Sequence, residues 1–364
     1  MIKLLIVDDS ALMRRQLGEI FRDEADFEVQ MARNGVEALE FNLSFQPEVI
    51  TLDINMPEMD GLTALSRLML DRPVPVVMVS SLTEQGALAT FEALNLGAVD
   101  YITKPGGTIS LSIGAIRDEL VAKVRAAARS HLKAPRAGRG VLHGNRAREL
   151  VQRMRDDKAK AAKERALLRQ GIVGAGIVII GVSTGGPRTL EDILPQLPAD
   201  FGWPVLVAQH MPATFTGSFA ERLDQICPMR VVEAASPFPL EPGTIYLGKG
   251  GADMVLSSRA GRLTVLPKPE SPLHLWHPSV ELLGRSVLEN CNPSQVIGVM
   301  LTGMGNDGSS AFAEIRSRGG RTIAESEESA VVFGMPKELI DLGGASVVLP
   351  AERVVSQILL WVGR

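Results

Sequence analysis

Leu4-Leu5-Ile6-Val7-Asp8-Asp9 and Val49-Ile50-Thr51-Leu52-Asp53 share one pattern: a short apolar run that ends on carboxylates. Val76-Val77-Met78-Val79 runs in the same way into Ser80, and Tyr101-Ile102-Thr103 into Lys104. Strand-like runs near 3–7, 27–31, 48–52, 75–79 and 99–102 alternate with helical patterns over 11–21, 35–43, 61–70 and 87–95. Ser10 is placed to cap the first of these helices. Such βα alternation predicts parallel strands. Five strands in about 120 residues suit an α/β, flavodoxin-like (βα)5 doubly wound domain, whose chemistry gathers at the carboxyl ends of its strands.

The pattern returns in the second half of the chain. Ile177-Val178-Ile179-Ile180 leads to Ser183, Val205-Leu206-Val207-Ala208 to His210, and Val296-Ile297-Gly298-Val299-Met300 to Asp307. With further strands expected near 230–233 and 321–324, residues from 176 onward predict a second doubly wound parallel sheet. The interval 237–275 is punctuated by Pro and Gly. Its runs Thr244-Ile245-Tyr246-Leu247, Met254-Val255-Leu256 and Leu263-Thr264-Val265-Leu266 predict antiparallel β-hairpins inserted in or flanking that core.

The bulk properties narrow the class. At 364 residues and 45% hydrophobic content, the chain has material for two folded domains. No apolar run approaches the ~20 residues that span a bilayer. Met1 leads within two residues into a strand pattern, leaving no room for a signal peptide. Cys227 and Cys291 form no disulfide or zinc pattern. The expectation is a soluble, cytoplasmic protein. Residues 123–170 hold fifteen Lys/Arg and four Asp/Glu, a balance of +11 in a chain whose net charge is −4. Such a block suits a solvated connector, helix-prone from 146 to 170. The expected division is therefore 1–122, a basic linker over 123–170, and 171–364.

Asp8, Asp9 and Asp53 would converge at one sheet edge, where three carboxylates repel unless a cation joins them, and oxygen ligands suit Mg²⁺. A carboxylate is also a nucleophile toward phosphorus. Ser80 can donate to phosphoryl oxygens, and Lys104 supplies positive charge. A single strand-end Asp means little, because loops are wet. The ensemble Asp8-Asp9, Asp53-Ile54-Asn55-Met56-Pro57-Glu58-Met59-Asp60-Gly61, Ser80-Ser81 and Lys104-Pro105 is specific. By it, residues 1–120 resemble a response-regulator receiver domain. That resemblance implies Asp53 as phosphoacceptor, Mg²⁺ held by Asp8, Asp9, Asp53 and the backbone carbonyl of Asn55, Ser80 and Tyr101 as switch pair, and Lys104 as phosphate partner.

Gly181-Val182-Ser183-Thr184-Gly185-Gly186-Pro187 lies between a strand and a helical pattern, and satisfies Gly-x-Ser-x-Gly. A phosphate-cradling turn would look similar. Of five histidines, His131 and His143 fall in the connector, and His274 and His277 sit in a Pro-rich loop without a supporting metal pattern. His210 ends a buried-looking strand and is the candidate base. Asp307, in the Gly-rich loop Leu301-Thr302-Gly303-Met304-Gly305-Asn306-Asp307-Gly308, is the candidate to orient it. The order Ser, His, Asp differs from the Ser, Asp, His of α/β-hydrolases. With Val331-Val332-Phe333-Gly334-Met335-Pro336, these stretches make 176–360 resemble the catalytic domain of the chemotaxis protein-glutamate methylesterases, the CheB family.

Receiver first and esterase second is that family's architecture. The resemblance implies a methyl-ester hydrolase, with glutamine deamidation as a side activity. Its substrate would be glutamate side chains on the cytoplasmic helices of a chemoreceptor, and its phosphodonor a histidine kinase of the chemotaxis type. It also implies that an unmodified receiver covers the esterase cleft. No cofactor for ester hydrolysis, no DNA and no membrane insertion are expected. Two departures from the family pattern are the long basic connector and Trp276, which stands where a basic residue is common. A phosphorylation-controlled scaffold without turnover and a DNA-binding regulator acting through the connector are the competing readings; the second lacks a helix-turn-helix pattern.

Overall fold

The computed structural model describes residues 1–80, 83–104, 117–130, 176–259 and 261–363. The helical reading of 146–170, together with His131, His143, Ser81 and Pro105, lies outside them. The chain divides into two compact units, Met1–Gly138 and Arg139–Arg364.

The first unit is built on β1 (Ile2–Val7), β2 (Phe27–Ala32), β3 (Val49–Asp53), β4 (Val76–Ser80) and β5 (Asp100–Thr103), in the order β2-β1-β3-β4-β5 and parallel throughout. Its helices are α1 (Ala11–Arg22), α2 (Gly35–Ser44), α3 (Gly61–Asp71), α4 (Glu84–Leu96) and α5 (Arg117–Ala128). Ser10 caps α1 by accepting the Met13 N–H, and Asn34, Asp60 and Thr83 cap the next three helices in the same way. The sheet reverses direction at β1, whose neighbours are β2 and β3, so a crevice opens at the carboxyl ends of β1 and β3.

Helix α5 runs across position 122, where the connector was expected to begin. Its many cations hide an apolar stripe of Leu120, Val121, Val124 and Ala127, all buried. The cations are themselves used. Lys123 pairs with Asp100 and Glu119, and Arg125 with Glu24 and Asp26.

The second unit holds a seven-stranded parallel sheet in the order β15-β14-β13-β6-β7-β10-β8. The strands are β6 (Ile177–Val182), β7 (Val205–Gln209), β8 (Arg230–Ala234), β10 (Thr244–Gly248), β13 (Val296–Met300), β14 (Arg321–Glu325) and β15 (Val347–Leu349). Beside it lies an antiparallel sheet of β9 (Phe238–Pro239), β11 (Asp253–Arg259) and β12 (Arg262–Lys268). The hairpin expectation holds for β11 and β12 but not for Thr244–Gly248. Every residue of that run is buried, and it enters the main sheet as a parallel strand between β7 and β8. A run buried on both faces suits the middle of a parallel sheet better than a half-exposed hairpin.

The helices of this unit are α6 (Gly186–Ile193), α7 (Ala213–Ile226), α8 (Val280–Asn290), α9 (Ser309–Ser317), α10 (Met335–Asp341) and α11 (Ala351–Val362). One face of the sheet packs Ile179, Leu206 and Met300 against Val280, Leu283 and Val287 of α8 and Phe312 of α9. Strand β6 lies between β13 and β7, so its carboxyl end is again the point of reversal.

Candidate active sites

In the first unit the sheet register brings the acidic cluster together. Asp53 is the last residue of β3, and Asp8 and Asp9 follow β1 directly. One carboxylate oxygen from each lies within 4.8 Å of the others, with Asp8 and Asp53 buried and Asp9 exposed. Lys104, just past β5, sends its Nζ to Asp8 Oδ2 and Asp53 Oδ2, 2.9 Å from each. Its backbone N–H is tied to the Ser80 carbonyl at 2.6 Å. Ser80, at the end of β4, is buried and its Oγ donates to the Gly86 carbonyl. Tyr101 is buried within β5, while Asn55 is exposed in the bend after β3.

Burial raises the pKa of Asp53 above the ordinary carboxylate value; Lys104 opposes the shift and the neighbouring Asp8 adds to it. Burial works against the charge on Lys104, but Asp53 and Asp8 together hold its pKa above that of a free lysine. One ammonium is thus shared by two buried carboxylates, with a third at the rim.

The second site forms at the ends of β6, β7 and β13. Val182 pairs with Gln209 across β6 and β7, and the His210 N–H donates to the Val182 carbonyl, so Ser183 and His210 leave neighbouring strands side by side. The turn after Ser183 is tight. Its carbonyl accepts the Gly186 N–H at 2.8 Å, and Gly185 adopts φ +78°, open to glycine at little cost. Gln209 Nε2 bridges the Ser183 and His210 carbonyls at 3.0 Å each. Thr302 Oγ1 donates to the Thr184 carbonyl and accepts the Val332 N–H, pinning the turn from the other side.

His210 Nε2 lies 2.8 Å from Asp307 Oδ2. Asp307 also accepts the Val280 N–H on Oδ2, and the Glu281 N–H and Ser279 Oγ on Oδ1. It therefore sits at the N-terminus of α8, whose first amides have no acceptor within the helix itself. Burial alone would raise its pKa. The His210 hydrogen bond and charge, with the Val280 and Glu281 amides, outweigh burial and hold it below the usual range.

An ionised Asp307 only accepts, so Nε2 carries the hydrogen, and in the neutral form of the ring it is Nδ1 that offers the lone pair. Nδ1 is buried and makes no hydrogen bond among the described residues. Ser183 Oγ is not bonded to it in this conformation, as is common in unliganded active sites.

The sequence reading missed three supports: Gln209, Thr302 and Ser279. Ser279 was legible, since it precedes an apolar-periodic helix and caps it through the Leu282 N–H at 3.3 Å. His277, set apart as a loop histidine, pairs through Nδ1 with Asp253.

Comparisons with known proteins bear on both units. Residues 4–112 match the response regulator receiver domain, and residues 178–358 match CheB methylesterase. The protein-glutamate methylesterase/protein-glutamine glutaminase 3 of Rhodospirillum rubrum is 54% identical, over 100% of this chain and 97% of the relative. The chain belongs to the CheB methylesterase family. A second CheB relative, protein-glutamate methylesterase/protein-glutamine glutaminase 2 of Rhodopseudomonas palustris, is 50% identical over 99% of this chain and 98% of its own length. The crystal structure of the Thermotoga maritima CheB methylesterase catalytic domain superposes with a TM-score of 0.50 at 38% identity, covering 52% of this chain and 99% of that domain. No helix among the described residues is long and apolar enough to cross a membrane.

Proposed function

We propose that this protein is a phosphorylation-activated protein-glutamate methylesterase that releases methanol from glutamate methyl esters on chemoreceptor cytoplasmic helices and also deamidates receptor glutamines. The observation that carries it is the His210–Asp307 pair at 2.8 Å beside Ser183, with an imidazole nitrogen that has no hydrogen-bond partner among the described residues. Ser183 Oγ attacks the ester carbonyl while His210 takes its proton at Nδ1. Asp307 holds the tautomer and stabilises the imidazolium. Methanol departs with the proton from His210, and water, activated in turn by His210, releases glutamate. Only these side chains are needed, so hydrolysis takes no cofactor.

In this reading the switch extends through α5 to residue 128, the connector follows it to residue 170, and 171–364 is the hydrolase. Asp53 is the phosphoacceptor, with a histidine kinase of the chemotaxis type as donor. Ser80 and Tyr101 respond to the phosphoryl group, and Lys104 neutralises it. The acidic cluster fits a hard divalent cation: its donors are all oxygen, and one ammonium does not balance three carboxylates. Asp8, Asp9, Asp53 and the Asn55 carbonyl would hold Mg²⁺, which neutralises charge during phosphoryl transfer. The cytoplasm is the compartment where kinase and receptor helices meet this chain, and no DNA partner is required.

The test is methanol release from methylated receptor cytoplasmic fragments, with and without acetyl phosphate and Mg²⁺. The expected result is release that rises with phosphodonor and falls at least ~10³-fold in Ser183→Ala. An active Ser183→Ala protein would end the triad assignment. Failure of a serine-directed phosphonate to label the wild type at Ser183 would favour a scaffold without turnover.

A further inference from the structure

The loop between β12 and α8 is held to β11 by a second carboxylate–imidazole pair, His277 with Asp253. Asp253, at the head of β11, is 1% exposed. Its Oδ1 accepts His277 Nδ1–H and the Ser279 N–H, both at 2.8 Å, and its Oδ2 accepts the Ser271 N–H at 2.9 Å. One buried side chain therefore ties the loop at 271, 277 and 279. Apolar packing does not hold the middle of this loop, since Leu273 and Leu275 are 88% and 84% exposed.

What the tied loop delivers is Trp276. Its ring stacks on the His210 imidazole, with centroids 5.9 Å apart and planes within 10°. The six-membered ring of the indole lies against Gly305 in the Asp307 loop, where a Cβ would stand 2.7 Å from it. The His277 carbonyl accepts the Met211 N–H, directly after His210, and Ser279 Oγ donates to Asp307. The loop thus touches both partners of the His210–Asp307 pair.

We propose that Asp253 and His277 form a clasp that positions Trp276 as a backstop for the His210 ring. Asp307 fixes one edge of the imidazole, but a single hydrogen bond leaves the ring free to tilt about it. The indole face removes that freedom, so Nδ1 stays aimed where the serine proton is collected. Trp276 and its clasp are positioning residues. They act on the orientation of the base, which matters in the transition state, and so affect kcat more than KM. The inference rests on the hydrolase reading of Ser183, His210 and Asp307.

The experiment uses the full-length protein and a helical peptide carrying a glutamate γ-methyl ester, with methanol release read as kcat and KM. Asp253→Asn and Trp276→Leu are each expected to lower kcat by roughly 10- to 100-fold with KM nearly constant. Trp276→Phe is expected to recover most of the loss, and His277→Gln, which keeps an N–H donor, to retain more activity than His277→Ala. The double variant Asp253→Asn/Trp276→Leu is expected to be no slower than Trp276→Leu, because the clasp acts through the indole. Multiplied losses in the double variant, a KM effect without a kcat effect, or a Phe variant as slow as Leu would each overturn the clasp. If Asp253→Asn does not fold, the His277 pair with Trp276→Leu completes the same cycle. Phosphonate labelling of Ser183 separates the two levels of failure. A wild type that neither labels nor hydrolyses ends the hydrolase reading and the clasp with it, whereas an active wild type with an unimpaired Asp253→Asn ends the clasp alone.

Discussion

Asp53 ends a strand and Asp307 lies in the loop that follows one, each strand next to the point of reversal of a parallel sheet, and their electrostatics are opposite. Asp53 receives one amide, from Ile54, and a lysine shared with Asp8; burial wins, and its pKa is raised. Asp307 receives two helix amides, a hydroxyl and an imidazole; the donors win, and its pKa is lowered. Burial that is similar in kind leads to different states because the number of donors differs. A carboxylate short of donors next to like charge is prepared to take a cation and an electrophile. A carboxylate saturated with donors is fixed in charge and place, and serves only to orient its neighbour.

The largest expected effect falls on Asp53 as the phosphoacceptor. Asp53→Asn is expected to abolish labelling by acetyl phosphate while leaving basal ester hydrolysis in place. Persistent labelling, read by intact mass, would remove Asp53 from its role. Asp307→Asn should lower kcat by about 10³- to 10⁴-fold, since an amide nitrogen facing Nε2 favours the wrong tautomer. A loss below tenfold in the methanol assay would mean that Asp307 is structural only.

Acid separates the two carboxylates by sign. Asp307, with its folded pKa depressed, contributes stability that is full above the ordinary carboxylate pKa and is lost as pH falls through the folded value. Asp53, with its folded pKa raised, costs stability while ionised, and that cost is relieved as pH falls through its folded value, above the ordinary one. Peptide-resolved hydrogen exchange between pH 7 and pH 3 should therefore show that Asp53→Asn stabilises its unit most near neutrality, with the advantage shrinking in acid. The gain from Asp307 should persist to lower pH. The smallest effect is expected for Ser279→Ala, which removes a helix cap and one of four donors to Asp307. A loss of about 1–2 kcal/mol in urea unfolding would be consistent with both roles.

Much of this was legible in the chain itself. Apolar runs ending in chemistry-bearing residues placed Asp53, Ser80, Lys104, Ser183 and His210 at strand ends, because a buried parallel strand must be apolar and its carboxyl end opens a crevice. Ser10 marked a helix start because a hydroxyl there satisfies an orphan amide. Two local readings misled. Thr244–Gly248 was grouped with the hairpins because short apolar runs look alike in either setting, and its place between β7 and β8 is a long-range choice. Helix α5 was hidden by its cations, whose partners Glu24, Asp26 and Asp100 lie far away in sequence.

Periodicity and strand-end chemistry determined the two α/β units and nominated the reacting side chains, since both depend on residues near one another in the chain. Only the tertiary structure decided how those side chains are supported. Asp307 owes its charge to α8, Lys104 is divided between two carboxylates, and Trp276 meets His210 because Asp253 ties a loop from 18 to 26 residues further on. Such contacts are set by sheet order and burial, and no local pattern encodes the distance between groups so far apart along the chain.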